Sequence, residues 1–225
     1  MKTVAIIPAY NEESRVADAV RDASCFVDHV VVVDDCSYDQ TFDEAYSSGA
    51  YALRHVLNRG QGAALQTGTS FALKNLNPDV IVHFDADGQM QGRDIPKMID
   101  LLSNSDVDVV LGSRFLHGCP DMPLSRKITL KLAIIFTLVV SGIKLSDAHC
   151  GFRILSKSAA KRICITRDRM AHASEILDLI KVNRLKYTEC PVDIKYSDET
   201  LAKGQSSLGA ITIVKDLIKS KFFDV

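Results

Sequence analysis

Four short apolar runs in the first half of the chain each stop abruptly at polar or glycine-rich residues. Residues 3–7 run into Pro8-Ala9-Tyr10-Asn11-Glu12-Glu13. Residues 29–33 stop at Asp34-Asp35-Cys36-Ser37, and 51–56 at Asn58-Arg59-Gly60-Gln61-Gly62. Val80-Ile81-Val82-His83-Phe84 ends in Asp85-Ala86-Asp87-Gly88-Gln89. Between them lie segments with helical spacing, such as 12–25, where Val16, Ala19, Val20 and Ala23 share one face. Apolar runs this continuous read as strands covered on both faces. Strands alternating with helices give an α/β chain with a mostly parallel sheet. In such a sheet the strand ends converge on one rim, where open α/β sheets bind ligands.

The pattern continues with helices at 39–46, 61–73 and 94–102 and a strand at 107–112. Residues 117–125 then read as a loop, and 125–141 as an unusually apolar helix with a basic start at Arg126, Lys127 and Lys131. Further on, 151–155 reads as a strand, and 157–163 and 173–182 as helices. Residues 185–196 alternate as a strand with Pro191 marking an edge or bulge, and 209–219 form an amphipathic helix. No polar linker interrupts the 225 residues. The chain reads as one domain, with the alternating half at about 1–115 and a smaller C-terminal subregion at about 116–225.

Composition sets the outer limits. Apolar residues at 47% and charged residues at 24% suit a large buried core. A formal net charge of -1 argues against general nucleic-acid binding. The six cysteines, at 25, 36, 119, 150, 164 and 190, lack zinc-ligand spacing and a disulfide framework, so they read as reduced thiols in a cytoplasmic protein. The longest apolar stretch, 132–143, is too short to span a bilayer. It reads as a buried helix or dimer contact, or as a helix lying at a membrane surface with its basic residues toward head groups. No G-x-x-x-x-G-K-[ST] phosphate loop occurs.

The D-x-D pair carries the most chemistry. Two carboxylates one residue apart at a strand end can hold Mg²⁺ or Mn²⁺, which keep coordination positions open for phosphate oxygens. The plainer reading is an Asp/Gly turn. Elsewhere on the rim the same choice recurs. Glu12 and Glu13 read as first-turn acids or as ligand contacts. Asp34, Ser37 and Asp39 read as turn and cap residues, and Gly60 and Gly62 as helix-start residues or a close approach to ligand.

Six segments in order resemble the family 2 glycosyltransferases. They are Pro8-x-Tyr10-Asn11-Glu12-Glu13, Val33-Asp34-Asp35-x-Ser37-x-Asp39-x-Thr41, Asn58-x-Gly60-x-Gly62-Ala63, Asp85-Ala86-Asp87-Gly88-Gln89, Gly112-Ser113-Arg114 and Asp147-x-x-Cys150-Gly151-Phe152-Arg153. The likeness is to the dolichol-phosphate mannose synthase and polyprenyl-phosphate glycosyltransferase branch. It implies a GT-A fold and a metal-dependent, inverting transfer from a nucleotide-diphospho-sugar. On the donor side it implies roles for Pro8, Tyr10, Glu12, Asp35, Gly60, Gly62, Asp85 and Ala86, with Asp85, Asp87 and Gln89 at the metal. On the acceptor side it implies Arg114, Arg126 and Glu175. Asp147 becomes a general base for a hydroxyl acceptor or an orienting group for a lipid phosphate. With Asp87 and Arg114 it makes the catalytic set. The acceptor would be a lipid-linked carrier or a glycan, reached by a peripheral enzyme at the inner membrane face. The chain departs from the branch at 201–207, where Leu201 and Ser207 stand in place of an arginine and a lysine; Lys203 would supply the missing charge to the donor. Two competing readings are a haloacid-dehalogenase-type phosphatase with Asp85 as nucleophile and a non-catalytic nucleotide-sugar-binding protein.

Overall fold

A central seven-stranded sheet organises the structure, a computed structural model that describes residues 1–116, 143–147, 150–166 and 172–195. The strands are β1 Thr3–Ala9, β2 His29–Asp34, β3 Tyr51–Arg54, β4 Val80–His83, β5 Val109–Ser113, β6 Arg153–Ser156 and β7 Tyr187–Pro191. Their order is β3-β2-β1-β4-β6-β5-β7. Six run parallel, and β6 runs antiparallel to β4 and β5. The mostly parallel sheet expected from the alternation is therefore present.

Among the described residues six α-helices flank it: α1 Val16–Ser24, α2 Thr41–Ser47, α3 Gln61–Phe71, α4 Ile95–Asn104, α5 Lys157–Arg162 and α6 His172–Val182. The two-residue period of the strands sorts their side chains to two faces. Ala5 and Ile7 of β1 pack with Val16 and Val20 of α1, Ala45 of α2 and Ile95 and Met98 of α4. Val4 and Ile6 pack on the other face with Ala64 and Leu65 of α3, Ala159 of α5 and Ile176 and Ile180 of α6. This double cover is why the strands read as unbroken apolar runs.

Several boundaries shift for visible reasons. Helix α1 starts at Val16, because residues 12–15 form a turn in which the Glu12 carbonyl accepts from the Arg15 and Val16 N–H groups. Strand β3 ends at Arg54, and His55 then donates its N–H to the Asp34 carbonyl. Pro191 closes β7 at the sheet edge, where its missing N–H costs no ladder bond. Helix α5 begins at a serine cap: Ser156 Oγ accepts from the Ala159 N–H at 3.2 Å. The segments expected to be helical at 125–141 and 209–219 lie outside the described residues. No helix among the described residues is long and apolar enough to cross a membrane.

The strand order positions the site. The chain leaves β1 for β2 on one side and returns to β4 on the other, so the order reverses beside β1. At such a switch point the loops leaving neighbouring strands diverge to opposite faces and open a crevice. Asp85 and Asp87 follow β4, and the 10–15 segment follows β1.

Candidate active site

Strand β4 sends its chain into the crevice through Phe84, which is buried edge-on against Phe152 with centroids 5.5 Å apart. Asp85 comes next. Its Oδ1 accepts from Gln61 Nε2 at 2.8 Å, and its backbone N–H points to Met90 Sδ at 3.2 Å. Its Oδ2 lies against Gly151, where an added Cβ would stand 2.5 Å away. Any side chain at 151 would displace the carboxylate. Asp87 closes a tight turn by accepting the Gln89 N–H on Oδ1 at 3.0 Å. Gly88 takes φ +75° inside that turn, a conformation that strains other residues.

The two carboxylates raise each other's cost. Burial, reinforced by the charge of Asp87, pushes Asp85 up to about 7; Arg153 and Gln61 oppose it. Burial also raises Asp87, against the Gln89 N–H and the charge of Arg15. Neither forms a direct ion pair among the described residues. Two hard oxygen donors of like charge, partly withdrawn from water, are a donor set that a divalent cation relieves. The chemistry of this pair therefore fits Mg²⁺ or Mn²⁺. Among the described residues no group of three or more His, Cys, Asp or Glu gathers around the pair.

The first two loops are tied to each other. The Asn11 N–H donates to Ser37 Oγ at 2.9 Å, the Glu12 N–H to Thr41 Oγ1 at 2.8 Å, and the Tyr38 N–H to Asn11 Oδ1 at 3.0 Å. Asn11 and Cys36 both take positive φ in these turns. Asp39 takes the Thr41 N–H and hydroxyl, so it serves as a turn and cap residue. Pro8 is buried within β1 opposite Val33. Tyr10 is 39% exposed at the rim and meets the ring of Tyr38 edge-on at 6.5 Å. Glu12 pairs with Arg15.

Asp35 is 3% exposed, and its oxygens face protein. Oδ1 meets His55 Nδ1 at 2.7 Å and accepts the Arg59 N–H at 3.0 Å; Oδ2 accepts the Gly60 N–H at 2.5 Å. His55 Nε2 reaches Thr67 Oγ1 at 2.9 Å. Asp35 thus fixes the glycine-bearing loop before α3. Asp34 is the neighbour in the turn: it accepts the Ser37 N–H and pairs with Arg54 Nε at 3.1 Å. Gly62 is buried in α3, and Ala86 is buried between the two aspartates.

The other side of the crevice is built from opposite charges. Arg114, after β5, grips Asp147 with Nε to Oδ2 at 2.6 Å and Nη2 to Oδ1 at 2.7 Å, and both residues are buried. Glu189 of β7 holds the adjoining loop by accepting the Ser146 N–H and hydroxyl at 2.9 and 2.8 Å and the Asp147 N–H at 3.2 Å. Glu175 is buried in α6 and accepts the Thr166 N–H at 2.9 Å, so it braces the 163–166 segment. Arg126, Lys203 and His149 lie outside the described residues. Behind the site, burial holds His83 neutral by pushing it down to about 3, and burial with the charge of Asp147 pushes the Cys150 thiol up to about 12.

Residues 4–164 match the family model for glycosyl transferase family 2. The chain belongs to that family. It is 31% identical to a UDP-N-acetylglucosamine–dolichyl-phosphate N-acetylglucosaminyltransferase of Methanococcus voltae, over 96% of this chain and 94% of that protein. It is 29% identical to an undecaprenyl-phosphate mannosyltransferase of Micrococcus luteus, over 94% of this chain and 90% of that protein. These are similarities to relatives of the polyprenyl-phosphate branch, and the chain is a nucleotide-sugar-dependent glycosyltransferase of family 2. Its fold matches glucosyl-3-phosphoglycerate synthase from Mycobacterium tuberculosis, solved with Mn²⁺, UDP and phosphoglyceric acid, at a TM-score of 0.69. That match has 18% identity and covers 97% of this chain and 78% of that one. The fold is GT-A. A phosphatase built on Asp85 is set aside, because the D-x-D follows the fourth strand of a family 2 enzyme.

Sequence patterns alone miss five residues that shape this family 2 site: Gln61, Gly151, His55, Glu189 and Arg153. Gly151 and Arg153 lie inside a quoted motif, yet nothing in that motif tells which carboxylate each one faces. His55 and Glu189 carry no local signal, since their partners are 20 and 43 residues away.

Proposed function

We propose that this family 2 enzyme transfers a sugar, with inversion, from a nucleotide-diphospho-sugar to a polyprenyl-phosphate acceptor, in a metal-dependent reaction. The observation that carries the reading is the like-charged Asp85/Asp87 pair at the switch point of the sheet, without an ion-pair partner among the described residues. Asp85, Asp87 and Gln89 would hold Mg²⁺ or Mn²⁺, which when bound neutralises charge on the departing nucleoside diphosphate. The synthase of matching fold is solved with Mn²⁺ and with Mg²⁺, each beside UDP.

The chain's own residues divide the remaining work. Tyr10 offers a ring face at the rim to a nucleobase, backed by Pro8 and Glu12. Asp35 holds the Gly60–Gly62 turn at the donor and keeps one acceptor position toward the base. Arg114 and Asp147 form the acceptor wall, with Glu175 bracing the segment behind it and Arg126 and Lys203 adding positive charge. Both Asp147 oxygens are engaged by Arg114, so the pair suits orientation better than proton removal. A lipid phosphate is already an anionic nucleophile and needs no base, which favours it over a glycan hydroxyl. The named relatives use dolichyl or undecaprenyl phosphate, in keeping with that choice. We further propose one domain, with residues 1–115 serving the donor and 116–225 the acceptor, working at the inner face of the membrane.

The test is a thermal-shift screen of UDP- and GDP-sugars with and without Mn²⁺, followed by transfer of the stabilising sugar to polyprenyl phosphate. A specific, metal-dependent shift names the donor, since a ligand at ~100 times its Kd stabilises by about 2.7 kcal/mol. Failure of every nucleoside diphosphate to bind sinks the reading. Donor binding without hydrolysis or transfer to any acceptor makes the chain a binding protein.

A further inference from the structure

Arg153 is the first residue of β6, paired across the sheet with His83 on one side and Leu111 on the other. It therefore stands between the strand that delivers Asp85 and the strand that delivers Arg114. It is 2% exposed, and its Nη1 is buried without a hydrogen-bond partner. Among the described residues no side-chain hydrogen bond or direct ion pair ties down its guanidinium, although it feels the charges of Asp85 and Asp147. A buried cation left this way is costly in the free protein. Natural chains keep such costs where a ligand repays them.

A charge count shows what is missing. Arg114 and Arg153 are the two buried arginines among the described residues, and no lysine there is buried. Asp147 neutralises Arg114 through its two-pronged grip. Asp85 and Asp87 together balance one divalent cation. Arg15, whose charge reaches Asp87, is paired with Glu12. The diphosphate of the donor then arrives with two negative charges, and Arg153 is the buried arginine in the described part of the site that no ion pair already neutralises. We propose that Arg153 is the fixed counter-charge of the donor diphosphate, a positioning residue acting across Asp85 through its field. The inference rests on the nucleotide-sugar reading above. It explains why an unpaired guanidinium is retained in the core, where field effects are strong because water is excluded.

The experiment measures binding of UDP and GDP, and of uridine and guanosine, to the full chain in Mg²⁺ by calorimetry. Wild type is compared with Arg153→Met, Arg153→Gln and Arg153→Lys, with the unfolding midpoint of each ligand-free protein. The expected result is a loss of about ten-fold or more in diphosphate affinity for the two neutral variants. Their nucleoside affinity stays within about two-fold of wild type, and Arg153→Lys keeps most diphosphate binding. The ligand-free Arg153→Met protein should melt at or above the wild-type midpoint, because an uncompensated buried charge has gone. A merely structural role would lower the midpoint and weaken both ligand classes alike, and that result overturns the proposal. So does diphosphate binding by Arg153→Gln at wild-type strength, which keeps the test decisive if Arg153→Met does not fold. If wild type binds neither diphosphate, the donor reading itself fails, and this inference falls with it.

Discussion

The ends of β4 and β5 are built in opposite ways. After β4, Asp85 and Asp87 place like charges together, and burial raises both toward their neutral forms. After β5, Arg114 meets Asp147 in a buried two-pronged pair, and Glu189 holds the loop that carries the aspartate. One end leaves like charges together, where the proposed cation would bind; the other is complete within the chain. The difference separates two kinds of polar residue on one rim. Under the proposed function, the groups left in conflict would take the ligand, and the satisfied ones would form the wall beside it.

The largest expected effect breaks the first end. Asp87→Ala should lower turnover by a factor of about 10²–10³ or more, as loss of a principal charge-stabilising group does. Its unfolding midpoint should stay the same or rise, since a like-charge contact is relieved. A transfer assay beside a thermal melt reads both, and an active Asp87→Ala protein would remove the metal pair from the mechanism. Chelation by EDTA should abolish transfer to the same degree, with recovery on adding Mn²⁺ or Mg²⁺.

Asp147→Ala should behave in the reverse sense. It strands a buried guanidinium, so the stability cost should be about 3–5 kcal/mol by denaturant titration. Combining it with Arg114→Met should recover much of that loss. If the double variant is as unstable as the sum of the single ones, the two side chains do not work as a pair.

A pH series sharpens the contrast. Asp85 sits near 7 against an ordinary value of 3.8, so the folded protein holds a proton there that the unfolded chain releases. Its contribution therefore favours folding at about pH 4 and is lost as pH rises toward 7. His83, pushed down to about 3, works in the other direction over an overlapping range. The clean readout is the melting midpoint of wild type minus that of Asp85→Asn, which should fall between pH 4 and 7. A flat difference would mean that Asp85 is not held in a raised state.

The smallest expected effect lies beside the pair, in the donor loop. His55→Ala removes one of three contacts to the Asp35 carboxylate. It should cost about 1 kcal/mol of stability and a few-fold in donor affinity. Unchanged donor binding would show that the loop before α3 holds its shape without the histidine.

Much of this was legible in the sequence. The double-sided burial of β1, β2 and β4 forced apolar runs, and α1 announced itself through Val16, Ala19, Val20 and Ala23. The boundary at 55–56 was not legible, because a contact to the end of β2 sets it, whereas the one at 12–15 follows a local turn closed by the Glu12 carbonyl. Asp35 shows the same limit for the site. Its place at a strand end and in a family motif made it a candidate, while its bonds to His55 and the 59–60 backbone depend on β3 lying beside β2. Glu175 shows it again, since a helix acid gives no local sign that it is buried against Thr166.

By itself the sequence determined the α/β class, the rim on which the polar segments meet and the family, because strand period, helix period and motif order are local properties. Only the tertiary structure decided which charges on that rim are already neutralised. Asp85 and Asp147 are both aspartates in quoted motifs, and nothing near them in the chain tells them apart. Asp147 meets a guanidinium delivered by a strand 33 residues earlier, whereas Asp85 meets a second carboxylate and, across β6, an unpaired arginine. Coulomb energy depends on distance in space and on burial, and the fold alone sets both.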